Sequence, residues 1–592
     1  MRPAHVLVAL VLVVFLAYAS LGAFVRTPRI FYDELIYMEA ADSLAHGHSP
    51  QVREGPYEYG ILYPAVLAPV LWAAPNREVG YKLAKVLNAL LFALTAVPIF
   101  FLARRLLRPW PSVAVAALSV AVPSAVYVSV VMTESLAYLV ASCALYAILL
   151  AVERPSVSRQ IVALGAIAVA YLARAQFIAL YGAFVAALVL VVLLVPERRA
   201  AWRLELRRLW PTLLSLVAGL VAFVLVPLVR GEAPQDRLGR YQDLWRSYDV
   251  ATVARWLVYH VADLDLYLAV IPFVVAPVFL AMLFTRARAG SGQDGAFLAV
   301  FTSVNAVMLV VVAVVVTYQE SSGSGTQRLH DRYLFYVVPL WLISLFGWLQ
   351  EGAPWPRWAT RVGVVLAVVF AALLPLAEVD VNDGAKLFSA VGTGLPGIIG
   401  KLVDPAFFVG RLALAVLAVI LILLARRPGR ALRVSAFALL AFFVVDASLA
   451  WGHAFAPPER KVWAGSNLER RWVDEAVPAG AEVTMVTVDC GQSTLARDSF
   501  FQTEFFNGSV GRVLQIGGDF PNGHMSDTGE VDWDTGQPVK GAYVVVQPGI
   551  ALRGRRVAQG TAAGLTLWRV DGPVRIVGVR TASALRQAAC SG

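Results

Sequence analysis

Long apolar runs, each close to the roughly 20 residues that cross a bilayer as a helix, recur along most of the chain and stop near residue 451. They predict about thirteen membrane-spanning helices on that length rule, at 6–25, 83–103, 111–127, 135–152, 160–173, 176–195, 211–229, 266–284, 296–317, 333–349, 362–378, 406–425 and 432–451. Arginine clusters mark alternate loops: Arg104, Arg105 and Arg108, then Arg154 and Arg159, Arg198 to Arg208, Arg286 and Arg288, Arg357 and Arg361, and Arg426 to Arg433. Positively charged loops face the cytoplasm, so the N-terminus is expected inside and the C-terminus outside. Splitting the run 160–195 at Arg174 keeps that alternation intact.

The loops on the other side are longer, at 26–82, 128–134, 230–265, 318–332 and 379–405. Catalytic and binding groups concentrate on loops held by a rigid scaffold, so function is expected on the outer face. In the first of these loops, 26–82, Leu35, Met38, Ala41, Leu44 and Ala45 form an apolar stripe at helical spacing that ends near Gly47. This predicts an amphipathic helix lying at the interface. Residues Ile61–Pro69 are too short and too proline-broken to span, and predict a second surface-lying or re-entrant helix. In loop 230–265, Tyr241, Trp245, Tyr248, Trp256 and Tyr259 are expected either to lie over the site or, at their loosely helical spacing, to form another interfacial helix. The glycine–serine stretch in 318–332 is flexible in composition.

Beyond residue 451 the pattern changes. Ser466-Asn467-Leu468-Glu469 has the form of a capping box opening a helix to about Ala476, and Glu482–Val488, Val513–Ile516, Ala542–Gln547, Leu565–Val570 and Val574–Val579 read as short strands between glycine-rich turns. The expected organisation is a polytopic α-helical membrane part, 1–451, followed by a small extracytoplasmic α+β domain, 452–592. Cys490 and Cys590 both fall in that domain; in an oxidising compartment they form a bridge or stand as two thiols, and spacing does not decide between these. Cys143, inside a span, is expected to pack.

Composition agrees with this reading. Of 592 residues 59% are hydrophobic and 15% charged, with a mean hydropathy of +0.67, too apolar for a soluble surface. The net charge of +10 lies in the short loops between apolar runs and is read as topology, not as a nucleic-acid site.

The outer face carries the chemistry. Asp33 and Glu34 open the amphipathic helix, where one reading is an N-cap with a first-turn glutamate. Arg53-Glu54-Gly55-Pro56-Tyr57-Glu58 brings further carboxylates to the same loop, and Thr133-Glu134 places another in the second outer loop. Phe31-Tyr32-Asp33-Glu34-Leu35-Ile36-Tyr37, followed by a juxtamembrane helix, resembles the first outer loop of the GT-C class of integral-membrane glycosyltransferases, which includes the protein O-mannosyltransferases and the aminoarabinose transferases of lipid A. The stretch around Glu58 is similar to that class's second acidic motif, although Tyr59-Gly60-Ile61 stands where Lys-Pro-Pro is usual. Thr133-Glu134-Ser135, Leu172-Ala173-Arg174-Ala175-Gln176 and His330-Asp331-Arg332-Tyr333 resemble further positions of bacterial members.

The resemblance implies transfer of a sugar from a polyprenyl phosphate to an extracytoplasmic acceptor in the cell envelope, at the cytoplasmic membrane. Such an inverting transfer needs a base for the acceptor proton and positive charge for the departing phosphate. Asp33 is the expected base and Glu34 its catalytic neighbour. Glu58 and Glu134 are expected to orient the acceptor or, with Glu34, to hold an optional divalent cation through carboxylate oxygens. Arg174, Arg332 and Arg328, with Arg237 and Arg240 behind them, are expected at the donor phosphate, where the planar guanidinium fork matches phosphate oxygens. Tyr32, Tyr37, Tyr57, Tyr59 and Tyr63 are expected in an interfacial aromatic belt or, as the alternative, stacked on sugar rings. The competing readings are a transporter or flippase of lipid-linked sugars, which requires ionisable residues near mid-span, and a non-catalytic envelope assembly protein.

Overall fold

In a computed structural model of the chain, a helix falls on each of the expected spans. The structure describes residues 2–587 except 30, 54, 231–248, 322–328, 375–390, 392–393, 404–407, 426–436, 453–469, 489–493, 517–521, 527, 534–535, 561–563, 579–580, 582–583 and 586. Arg328, Arg237, Arg240, Cys490, Cys590, the capping box and the glycine–serine stretch lie outside the described residues.

The first span is α1 (Pro3–Phe24). The loop after it holds α2 (Phe31–Ala45), a small hairpin of β1 (Gln51–Val52) and β2 (Gly55–Pro56), and α3 (Leu62–Ala73). Next come α4 (Arg77–Leu94), α5 (Ala96–Ala103), α6 (Pro109–Val120), α7 (Glu134–Glu153), α8 (Val157–Ala173) and α9 (Ile178–Leu194). Short α10 (Pro196–Ala200) and α11 (Trp202–Arg208) lead into α12 (Trp210–Arg230). The membrane part continues through α13 (Val250–Tyr267), α14 (Ile271–Arg288), α15 (Gly292–Ser321), α16 (Val338–Gln350), α17 (Arg357–Leu373), α18 (Leu395–Val403), α19 (Phe408–Ala425) and α20 (Phe437–Gly452).

Among the described residues, six helices are long and apolar enough to cross a membrane alone, or up to eight if each bent pair is one span. Several of the remaining expected spans are shorter apolar helices. The chain is a polytopic membrane protein, and its outward apolar side chains, such as Leu12 and Leu16 on α1 and Leu214, Val217 and Leu220 on α12, are where lipid supplies the apolar contact. Cys143 also points outward from α7, so the packing role expected for it does not hold.

Three interruptions shape the face that carries the first long loop. Pro123 withholds its N–H from the ladder, and the chain bends by 56° from α6 into a buried 3₁₀ stretch, Pro123–Ser129. The run 160–195 breaks at Arg174, whose backbone is extended between α8 and a 3₁₀ turn, Ala175–Phe177. A further 3₁₀ turn, Asp331–Tyr333, precedes α16. Each break leaves a polar side chain at the end of a helix instead of inside it.

Two helices differ from expectation. The first-loop helix starts at Phe31, ahead of the apolar stripe, so that Asp33 and Glu34 sit in its first turn; Leu35, Met38 and Ala41 are buried and Gly47, at φ +77°, ends the segment in the left-handed region that glycine tolerates. Helix α13 exists, and Trp256 and its C-terminal half are buried against α15 and α17 instead of facing outward; Tyr241, Trp245 and Tyr248 lie outside the described residues. Aromatic residues at helical spacing suit a protein groove as well as an interface, and only the partner helices decide.

The C-terminal region is built on a seven-stranded sheet of order β6-β5-β4-β3-β7-β10-β9, from β3 (Val483–Val488), β4 (Val510–Ile516), β5 (Asn522–Met525), β6 (Val531–Trp533), β7 (Tyr543–Val546), β9 (Arg555–Gln559) and β10 (Thr566–Arg569). A separate pair joins β8 (Ala551–Leu552) to β11 (Ile576–Val577). Strand β3 is parallel to β4 and β7, and α21 (Thr494–Phe506) supplies the crossover that the parallel β3–β4 pair requires. The apolar strands were legible, whereas β5, β6 and β9 are short or polar.

Candidate active site

The two adjacent acids of α2 have different surroundings. Glu34 is fully buried; its Oε1 accepts the backbone N–H of Arg29 at 2.6 Å and its Oε2 that of Val131 at 2.9 Å. One carboxylate thus ties the entry of α2 to the segment just before α7. Glu34→Ala strands two buried donors, and each unsatisfied group costs about 1–3 kcal/mol; the variant is expected to melt well below wild type in a detergent thermal-unfolding assay, with Glu34→Gln intermediate. Asp33 is half-buried and lies one turn before Tyr37. Burial pushes the Tyr37 phenol up first, then the charge of Asp33; Arg174, Glu134 and Arg332 act on it as well. Tyr37 therefore marks the point on which the acid of α2 and the charges of three other segments converge.

Those charges form a compact group. Glu134 opens α7, where the helix dipole favours a carboxylate, and is fully buried. Its Oε1 accepts from Arg174 Nη1 at 2.8 Å, and Arg332 Nη1 lies 4.0 Å away. Arg174 also donates to the Tyr336 hydroxyl at 2.9 Å and Arg332 to that of Tyr333 at 3.0 Å. Both guanidiniums lie over the Tyr333 ring, at 5.2 and 5.0 Å. The two guanidiniums gather at one carboxylate oxygen of Glu134, and its second oxygen is buried without a hydrogen-bond partner. A buried acceptor left open is a place for a ligand hydroxyl.

The glutamate-bearing loop packs on the same spot. Tyr57 donates to the Gly60 carbonyl at 2.9 Å, and the Tyr59 and Tyr63 rings meet Tyr37 edge-on at 6.5 and 5.4 Å. These tyrosines form a cluster beside the charges, not a belt. A Cβ on Gly60 would lie 2.6 Å from the Leu172 carbonyl oxygen and 2.7 Å from that of Ala173. The backbone can come this close to the last turn of α8, directly before Arg174, only without a side chain, which gives a physical reason for glycine where the resembling class has proline. Glu58 itself is exposed at the rim.

Of the expected residues, Glu134, Arg174 and Arg332 come together, the charge of Asp33 acts with theirs on Tyr37, Glu34 is turned to backbone donors, and Glu58 stands outside. Among the described residues no group of three or more His, Cys, Asp or Glu could hold a metal. Sequence reasoning did not assign Tyr333 and Tyr336 to the site; their positions one and four residues after Arg332, at the start of a span, were the available signal. A second set of buried acids lies behind Arg332. Asp331 accepts from Val391 N at 3.1 Å, and its charge acts on Asp263 and on Tyr267, which donates to Ser124 at 2.8 Å. Asp331 lies in the 3₁₀ turn just before α16.

No protein-family profile and no curated protein sequence matches the chain. Among solved structures it is similar to ArnT, an aminoarabinose transferase from Cupriavidus metallidurans, crystallised bound to undecaprenyl phosphate, with 16% identity over 95% of this chain and 97% of that one at a TM-score of 0.52. A more distant likeness is to the oligosaccharyltransferase of Archaeoglobus fulgidus in its apo form, 13% identical over 90% of this chain and 69% of the other, at a TM-score of 0.44. The fold shared with ArnT from end to end is the one that the first loop resembled, and the chain has the GT-C fold of integral-membrane glycosyltransferases.

Proposed function

We propose that the protein transfers a sugar from a polyprenyl-phosphate donor to an acceptor outside the cytoplasmic membrane, with inversion at the anomeric carbon. The observation that carries this is the pair of guanidiniums, Arg174 and Arg332, sharing one buried carboxylate beside the first turn of α2. The acceptor oxygen bonds to the anomeric carbon while Asp33 takes its proton. The bond from that carbon to the phosphate oxygen breaks, its electron pair leaves with the polyprenyl phosphate, and the two guanidiniums meet the charge that develops there. Glu134, through its open oxygen, accepts a hydrogen bond from a sugar or acceptor hydroxyl, and Glu34 holds the first loop in place. In this reading the loop-bearing face is extracytoplasmic, residues 452–592 form a separate domain on that face, and Arg328 belongs with the phosphate-binding arginines. ArnT, with the same fold, holds undecaprenyl phosphate.

The transporter alternative requires ionisable groups near mid-span, whereas Glu134 is the first residue of α7, Arg174 follows the last residue of α8 and Arg332 lies in the 3₁₀ turn before α16. Purified protein is to be incubated with undecaprenyl-phosphate hexoses and pentoses, following release of undecaprenyl phosphate and the stereochemistry of the product. Turnover of one member with inversion is expected; no release from any of them sinks the enzyme reading.

A further inference from the structure

Helix α2 has a second face, turned away from the charges around Tyr37. On it Glu39 accepts the backbone N–H of Arg53 at 3.0 Å, and Asp42 accepts from Arg77 at 3.0 Å. The side chain of Arg53 leaves the β1–β2 hairpin and forms a two-pronged pair with Glu504 of α21, the second prong at 2.6 Å. Glu504 is fully buried and the Arg53 side chain only 8% exposed. Arg53 holds φ at +46°, a conformation that a non-glycine residue keeps only when its surroundings over-determine it. Phe505 and Phe506 follow at once and meet Tyr81 of α4 edge-on, at 5.3 and 6.1 Å, in one apolar cluster with Leu35, Met38 and Ala41 of α2. The C-terminal region therefore touches the hairpin that Glu39 of α2 holds through a buried ion pair, and α2 itself through an aromatic wedge.

We propose that the C-terminal region is a positioning element for the transfer reaction: the Arg53–Glu504 pair clamps the hairpin and α2 against α21 and so fixes Asp33 relative to Arg174 and Arg332, which stand on other segments. This rests on the function proposed above. Placement of a reacting group within about 1 Å governs rate by as much as 10²-fold, and α2, a single 15-residue helix, carries the base at one end and the clamp contacts on its far side. Because the arginines that face the donor are not on α2, loosening the clamp acts on kcat and leaves donor KM unchanged.

The charges make the clamp pH-sensitive. Burial first, and then the charge of Glu504, push the Glu39 carboxyl up to about 7, against Arg77 and the Arg53 contacts. With Glu39 ionised, Glu39, Glu504 and Asp42 face Arg53 and Arg77, with Asp474 also acting on Arg77; protonation of Glu39 removes one of these negative charges. An acid whose pKa is raised in the folded state contributes docking that is complete below its ordinary value of 4.5 and is lost as pH rises through about 7.

The test uses the full-length protein in detergent or nanodiscs, with Arg53→Met, Arg53→Lys, Glu504→Gln and Glu39→Gln. Hydrogen exchange of the α2 amides reads the clamp, and release of undecaprenyl phosphate from an undecaprenyl-phosphate sugar reads the chemistry. Arg53→Met and Glu504→Gln are expected to raise α2 exchange and lower kcat at least tenfold with donor KM within twofold; Arg53→Lys, which keeps the charge without the fork, is intermediate and decides the matter if Arg53→Met does not fold. Wild-type α2 exchange, corrected for its intrinsic pH dependence, is expected to rise between pH 6 and 8 and that of Glu39→Gln to stay flat. Unchanged α2 exchange in these variants, or raised exchange with wild-type kcat, overturns the proposal. A wild type that transfers no sugar overturns the function reading instead, and exchange then decides the clamp alone.

Discussion

Asp33→Asn is expected to lower kcat for glycosyl transfer by about 10²–10⁴-fold, the range for loss of a general base, while the thermal midpoint stays near that of wild type. The asparagine keeps the size of the side chain. What it loses toward folding is the charge at a helix N-terminus, about 0.3–1 kcal/mol. The contrast with Glu34 next to it makes the test sharp. Glu34→Ala is expected to fail in stability because two backbone donors depend on that carboxylate, and Asp33→Asn in turnover with the fold intact. Transfer kinetics and thermal unfolding on the same preparations check both; wild-type turnover by a folded Asp33→Asn variant removes Asp33 from the chemistry.

The second large effect concerns the arginines. Arg174→Ala strands Glu134, a fully buried carboxylate, and breaking one partner of a buried pair costs about 3–5 kcal/mol. Loss of activity in that variant alone would therefore not separate folding from chemistry. Arg174→Ala with Glu134→Gln removes the stranded charge and is expected to recover much of the stability, yet to remain at least 10²-fold impaired in kcat/KM for the polyprenyl-phosphate donor, about the loss that follows removal of one preorganised donor to a developing anion. Arg332→Lys keeps the charge and loses the planar fork; it is expected to weaken transfer with little change in melting. A double variant that is both stable and fully active would place the phosphate elsewhere.

Much of the architecture was legible because a bilayer demands long apolar runs and leaves few ways to satisfy a backbone within it. The break at Arg174 could be read for the same reason, since a charge between two apolar runs marks an end. The positions of Asp33, Glu134, Arg174 and Arg332 on one face followed from loop order. Their meeting around Tyr37 did not, because it depends on the bend at Pro123 and on the close approach of Gly60 to α8, and neither is encoded in a hydropathy pattern. The division of labour between Asp33 and Glu34 was illegible for a similar reason: the donors that engage Glu34 belong to Arg29 and to Val131, the latter 97 residues away. Helix α13 was misjudged because amphipathic spacing identifies a buried face without naming what covers it.

The Arg53–Glu504 pair joins residues 451 apart in sequence, and that separation has a consequence for biogenesis. Chains are made at roughly 5–20 residues per second, so the hairpin after α2 emerges roughly 20–90 s before its partner on α21 does. Through that interval every later membrane helix must be inserted while the first loop waits with its apolar face and the Arg53 charge uncovered. The segment bearing Asp33 is thus among the first parts of the chain to be synthesised, and the Arg53–Glu504 contact that covers its hairpin cannot form until α21 has been made.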